Sequence, residues 1–315
     1  MQISALEIQL PVAHSRPAMY NKCVSIQNLQ FRPAYSRRGT KTVHSESRYE
    51  QIFSSTIVFS IALIILGFIM DTPANILSGL YRIVTMQDLL ITDYVYIAGA
   101  GAALVNAGIV TMISVCIIKF SGDPFNGFTI VEMGLMAGFS LFGKNCLNIW
   151  PIILGTWLYA KYQREPFSKY ASVALLATAL SPMVSYMALG SIHASLPLGL
   201  LTGILIGFIL PSLSAYTYKI QNGMNLYNMG FACGMLAMMI VPMLAAVGDS
   251  PETVSYWAEG YNLEFGIVLA IYCMAFIICG LFFSGSPIWA VWASSPPPAG
   301  PPVTTSAPLV TALYW

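Results

Sequence analysis

The sequence predicts an all-α, polytopic membrane protein, and three observations carry that prediction. Of 315 residues, 57% are hydrophobic and 9% charged, with a mean hydropathy of +0.69. A soluble domain carries about 25% charged residues, so a globular cytosolic class is excluded. Several apolar runs reach the roughly twenty residues that a spanning helix requires. The cations are also distributed unevenly along the chain, as the positive-inside rule demands of a multi-pass protein.

Residues 1–51 read as a basic, disordered cytoplasmic tail. They hold seven of the fourteen Lys and Arg residues (Arg16, Lys22, Arg32, Arg37, Arg38, Lys41 and Arg48) and no sustained periodicity. No apolar stretch follows an early positive charge, which argues against a cleaved secretory signal. The membrane domain is expected over 52–283. Its first span is 52–70. Residues 73–91 are too short to cross. They place Ile76, Leu77, Leu80, Ile83 and Val84 at helical spacing, with Arg82, Gln87 and Asp88 elsewhere, which predicts an interfacial helix. Further spans are expected at 94–118, 170–189, 196–213, 226–247 and 263–283, about six in all. Thr92 or Asp93, just before the second of them, is expected to cap it. From 284 to 315 the chain turns uncharged and Pro-rich and reads as a disordered tail.

Between the second and third spans lies a different kind of segment, 126–160. Two apolar runs flank Phe142-Gly143-Lys144-Asn145, each too short to span. The first contains Glu132, Gly134 and Gly138; beyond the tip come Asn148 and Pro151. Short, Gly/Pro-interrupted apolar segments with polar tips are the mark of broken helices at transporter sites. A broken or re-entrant helical hairpin is therefore expected, and spanning and re-entry are both open. With the N-terminus cytoplasmic and both hairpin ends on one side, twelve of the fourteen Lys and Arg residues fall inside. The exceptions are Arg82 and Lys144. The loop 248–262 carries Asp249, Glu252 and Glu259 with no cation, so it falls outside.

An internal echo adds a further expectation. Residues 101–108 and 223–230 share G-x-x-x-x-N-x-G, with Asn106 and Asn228 at the same place, and in this topology they lead into spans of opposite sense. That pattern fits an inverted repeat.

Taken with Ile91-Thr92-Asp93-Tyr94, Val105-Asn106-Ala107-Gly108, Asn148-Ile149-Trp150-Pro151 and the run Asn225 to Ala232, the hairpin tip resembles the bacterial membrane proteins grouped as domain of unknown function 1576. The resemblance covers about residues 52–283. It implies a multi-pass protein of the bacterial plasma membrane, and it supplies no catalytic residue. It also implies a longer chain with a second copy of the Asn-Gly and Phe-Gly-Lys pattern, which this sequence lacks. On that basis a truncated half of a larger transporter-like protein is one expectation.

Candidate site residues follow from polarity at membrane depth. Lys144 reads as a ligand for an anionic solute, or alternatively as a solvated loop lysine between full helices. Glu132, twelve residues earlier, is its charge partner or a proton carrier, or alternatively an interfacial carboxylate. Asn145 and Asn148 at the tip, with Asn106 and Asn228 from the echo, are expected to face one another around a solute. Interhelical hydrogen bonding explains Asn106 and Asn228 equally well. Gly134/Gly138, Gly203/Gly207 and Gly230/Gly234 predict close helix contacts, within the chain or in a homo-oligomer.

No enzyme signature is present. There is no HExxH, no GxSxG elbow and no phosphate-binding Gly-rich loop, and the histidines are His14, His44 and His193. The six cysteines have no CxxC pairing. Neither a metal nor another cofactor is expected. A net charge of +1 gives no reason for a nucleic-acid partner. The functional expectation is a secondary transporter or channel for a small polar or anionic solute. A non-transporting membrane scaffold is the alternative.

Overall fold

In a computed structural model, residues 43–88, 92–220, 228–249 and 257–284 are described. The basic stretch before residue 43, the Gly223–Tyr227 part of the second echo and the Pro-rich end after 284 lie outside the described residues. The described chain is helical, without strands. It divides into a compact unit up to Ala258 and a second beginning at Glu259. The second unit carries one helix, α11 (Asn262–Ser284), over the last predicted span.

The first unit opens with α1 (Val43–Met70), which reaches back into the stretch expected to be disordered. Short helices α2 (Pro73–Thr85) and α3 (Tyr94–Ala98) follow. Then come α4 (Ala100–Ser121), α5 (Gly127–Phe139), α6 (Trp150–Gln163), α7 (Ala171–Ala177), α8 (Ser181–Ser185), α9 (Leu196–Ile220) and α10 (Asn228–Ala246). Five segments among the described residues are long and apolar enough to cross a membrane: Tyr49–Met70, Ala100–Ser121, Ala171–Gly190, Leu196–Ile220 and Asn228–Ala246. A chain with this many apolar helices is membrane-embedded.

The expected span 94–118 is broken. Gly99 adopts a left-handed φ of 88°, which separates α3 from α4 at little steric cost. Asp93 caps α3 as expected, its carboxylate accepting from the backbone N–H of Val95 (2.9 Å). α4 then packs tightly on α1. A Cβ on Gly101 would lie 2.8 Å from the Gly67 carbonyl, and one on Gly108 2.8 Å from that of Ser60. The two glycines of the first echo therefore serve backbone approach.

The hairpin exists, and its arms diverge. α5 is set by a capping box: Asn126 accepts from Phe128 N–H while Thr129 Oγ1 accepts from Asn126 N–H. At thirteen and fourteen residues, α5 and α6 are each about 20 Å long, well short of a hydrocarbon core of about 30 Å. α5 packs along α4, whereas α6 packs along α9. The α6–α9 contact is the glycine contact the sequence predicted: a Cβ on Gly207 would lie 2.0 Å from the Ile152 carbonyl, and one on Gly203 2.4 Å from Pro151. The other Gly-x-x-x-Gly pairs differ. Gly134, Gly138 and Gly234 have no neighbour within 4 Å of a built Cβ, so they make no close contact within the described chain.

The space between the arms is filled by the segment 171–190, expected as a regular span and found in pieces. α7 gives way to a 3-10 turn (Thr178–Leu180), then to α8, then to a π turn (Tyr186–Gly190). Pro182 accounts for the first break. It has no N–H to give, and its ring crowds the carbonyl four residues back. α7 touches α4, α5, α6, α9 and α10, which makes the broken segment the centre of the bundle. Irregular backbone at this depth is tolerated only where protein or a polar cavity surrounds it.

Candidate functional site

The hairpin tip is built by asparagines. Gly143, with φ 85°, lets the chain turn back after α5. Asn145 and Asn148 then bind each other: Asn145 N–H donates to Asn148 Oδ1 (2.9 Å), and Asn148 N–H donates to Asn145 Oδ1 (2.9 Å). From α4, Asn106 donates both amide protons to carbonyls freed by the helix break, Ser140 O at 2.8 Å and Lys144 O at 2.9 Å. Residue 106 lies fifteen positions before the end of α4, so the tip stops about 22 Å along that helix. The tip thus lies level with the N-terminal third of α4.

A second polar layer meets the tip from the connection between α2 and α3, outside the spanning helices. Asp88 Oδ2 accepts from Tyr94 Oη–H (3.0 Å) and from Asn148 Nδ2–H (3.3 Å). Asn148 also donates to Gly143 O and to Ser185 Oγ of α8, both at 2.9 Å. Asn145 Nδ2 points at Ile83 O (3.4 Å) and Asp88 Oδ2 (3.5 Å). The predicted solute ligands Asn106, Asn145 and Asn148 are therefore together, with most of their hydrogen-bonding capacity spent on the fold.

Asn228 is elsewhere, and the expectation that it faces the tip is corrected. It opens α10, accepts from Thr217 Oγ1–H (2.7 Å) and donates to Ser214 O (3.0 Å), both on α9. Those partners satisfy its carboxamide within the α9–α10 pair.

What remains unspent is ionic. Lys144 is 1% exposed, and its ammonium reaches only Met136 Sδ (3.2 Å) and the face of Phe139 (5.3 Å to the ring centre). Neither is a carboxylate. Glu132 and Cys233 are the ionisable groups that face it, yet no contact ion pair with Glu132 forms. Glu132, fully buried one turn below Met136, uses Oε2 to accept from Ser172 Oγ–H (3.0 Å) and leaves Oε1 without a partner. Ser172 also lies 3.4 Å from Asp123 Oδ2, in the connection between α4 and α5. Burial holds the Asp123 carboxyl above its usual range. Ser181 Oγ, at the break in the central segment, is buried and unpartnered.

A site can thus be described by subtraction. The asparagines hold the tip; Lys144, Glu132 and Ser181 keep buried polar groups free of strong partners. No His/Cys/Asp/Glu cluster among the described residues has the form of a metal site.

Residues 72–246 match the family described as Protein of unknown function (DUF1576). The chain belongs to that family. No curated protein and no solved structure matches it. In this DUF1576 chain the matched region runs from the start of α2 to the end of α10, so it contains every candidate residue named above.

Sequence reasoning missed Asp88, Ser172, Ser181 and Ser185. Asp88 looked like the polar face of an interfacial helix and is instead 1% exposed. α2 ends at Thr85, and the chain beyond it turns inward to the tip. Ser181-Pro182 was the legible signal, since a proline inside an apolar run marks a break.

Proposed function

We propose that the chain is a secondary transporter or channel for a small polar or anionic solute, with Lys144 as the group that receives it. The observation that carries this reading is a fully buried lysine with no carboxylate in contact, at the non-helical tip of the hairpin. Burying a charge is expensive unless it is paired, and at membrane depth such groups line solute or ion paths. An anionic group seated at Lys144 would supply the missing partner. Glu132, which makes no contact with the lysine, then carries a proton by way of Ser172 and Asp123. Asn106, Asn145 and Asn148 hold the tip in place, and Asn228 works only within the α9–α10 pair. On this reading the protein lies in a bacterial plasma membrane with its N-terminus in the cytoplasm, and it performs no covalent chemistry.

A non-transporting scaffold is the second reading. It is favoured by how completely the tip asparagines are hydrogen-bonded within the chain. Thermal unfolding in mild detergent separates the two, with a panel of small anions, amides, sugars and amino acids tested on wild type and Lys144→Ala. The transporter reading expects one solute class to raise the wild-type midpoint and to leave the variant unmoved, through linkage of binding to stability. A folded protein indifferent to the whole panel would favour the scaffold.

A further inference from the structure

Asp88 stands apart from the Lys144–Glu132 pair. It is on the connection between α2 and α3, is 1% exposed, and makes all its hydrogen bonds through one oxygen. Oδ2 is surrounded by donors from Tyr94, Asn145 and Asn148. Oδ1 is buried with no hydrogen-bond partner. The groups around it come from every element that packs there: Tyr94 from α3, Asn145 and Asn148 from the tip, Ser185 from α8. Cys146, on the tip, is the further titratable group facing Tyr94. No cationic side chain contributes to the surroundings of Asp88 among the described residues. An ionised carboxylate here would have one well-solvated oxygen and one stranded oxygen, with no counter-charge. A protonated one would have a carbonyl oxygen accepting from three donors and a hydroxyl on the bare side.

We propose that Asp88 is a proton-binding site, separate from Glu132, whose protonated form fastens the α2–α3 connection to the hairpin tip. Residue 87, next to Asp88, is packed just as closely on the central segment: the π turn ends at Gly190, where a Cβ would lie 2.5 Å from Gln87 Oε1. A proton lost from Oδ1 leaves a buried charge without a counter-charge, which weakens the hold of Asp88 on the tip. Burial raises the Asp88 carboxyl from 3.8 to about 7, with Ser185, Tyr94 and Asn148 offsetting part of the effect, so the exchange falls near neutral pH.

This inference does not require the solute reading, and its test contains no solute. The sign follows from linkage. A carboxyl raised in the folded state binds a proton that the unfolded chain has already released. Stability therefore falls as pH rises from the unfolded value toward about 7, and is level above it. The experiment is unfolding of the full chain in detergent from pH 5 to 9, for wild type and Asp88→Asn, whose neutral amide imitates the protonated acid. Wild type should lose up to about tenfold in its folding equilibrium constant per pH unit below about 7, and the variant should lack that step. Infrared difference spectra between pH 6 and 9 give a second readout, taken on Glu132→Gln so that the other buried carboxyl contributes no band. A buried carboxylic-acid band should disappear as the pH is raised, and a titration of that band should centre near 7. Identical pH profiles for wild type and variant, a spectrum without that band at pH 6, or a wild-type stability that follows sodium concentration at fixed pH and ignores pH, would each overturn the proposal.

Discussion

Asn106 and Asn228 occupy the same place in the same eight-residue pattern, yet they do different jobs. Asn106 reaches across to a broken hairpin and satisfies the carbonyls of Ser140 and Lys144. Asn228 reaches to Ser214 and Thr217 on the adjacent, continuous helix α9. In the first case the asparagine holds open an irregular tip with a buried lysine. In the second it joins two spanning helices. A motif thus specifies that a carboxamide will be satisfied, and the tertiary neighbour decides what satisfying it builds.

The comparison is sharpest at Asn106→Ala. It strands two buried carbonyls, and at about 1–3 kcal/mol for each unsatisfied group the loss should be roughly 2–6 kcal/mol. Chemical unfolding in detergent measures it; a cost under about 1 kcal/mol would mean the tip does not depend on α4. Gly207→Ala comes next. Its Cβ meets the Ile152 carbonyl backbone, so α6 and α9 must separate, at about 1–3 kcal/mol as for overpacking elsewhere. Asn228→Ala should cost less than Asn106→Ala, about 1–2 kcal/mol, because the site is only partly buried. If the two asparagine variants lose the same amount, the distinction between them fails.

Smaller effects test the outer ends of the comparison. Gly134→Ala on α5 meets no neighbour and should be neutral, or stabilise by up to about 1 kcal/mol through helix propensity. A large loss there would show that the exposed face of α5 is covered. Asp249, after α10, accepts from Tyr186 Oη–H (2.6 Å) and from the Ser191 hydroxyl. Those hydrogen bonds hold its carboxyl below the usual 3.8, so its contribution is complete above that value and is lost as pH falls through the lower folded one. An acid titration of stability should show a step in wild type that Asp249→Asn lacks.

Much of this architecture was legible in the sequence. Apolar run length found the spanning segments, and the short runs around Lys144 found the hairpin, because length against bilayer thickness is a strong constraint. The capping role of Asp93 and the Gly203/Gly207 contact were also readable, since each is a local signal with one main physical use. Other features were not. Gly134/Gly138 has the same spacing as Gly203/Gly207 and makes no contact, because spacing says nothing about which face meets a neighbour. The break at Gly99 was hidden inside a continuous apolar run. The pairing of Asp88 with the tip joins residues some sixty positions apart, and no periodicity reports that. The same holds for Glu132 and Ser172, forty positions apart.

The central claim is that Lys144 is buried for a ligand and not for the fold. Lys144→Met tests it most directly, since methionine keeps an unbranched apolar side chain and removes the charge. The account predicts a higher unfolding midpoint for Lys144→Met than for wild type without solute, together with loss of any solute-dependent stabilisation, because functional buried charges are held at a cost in stability. A strongly destabilised variant, rescued when Glu132 is also made neutral, would contradict the account and make the lysine half of a structural charge pair.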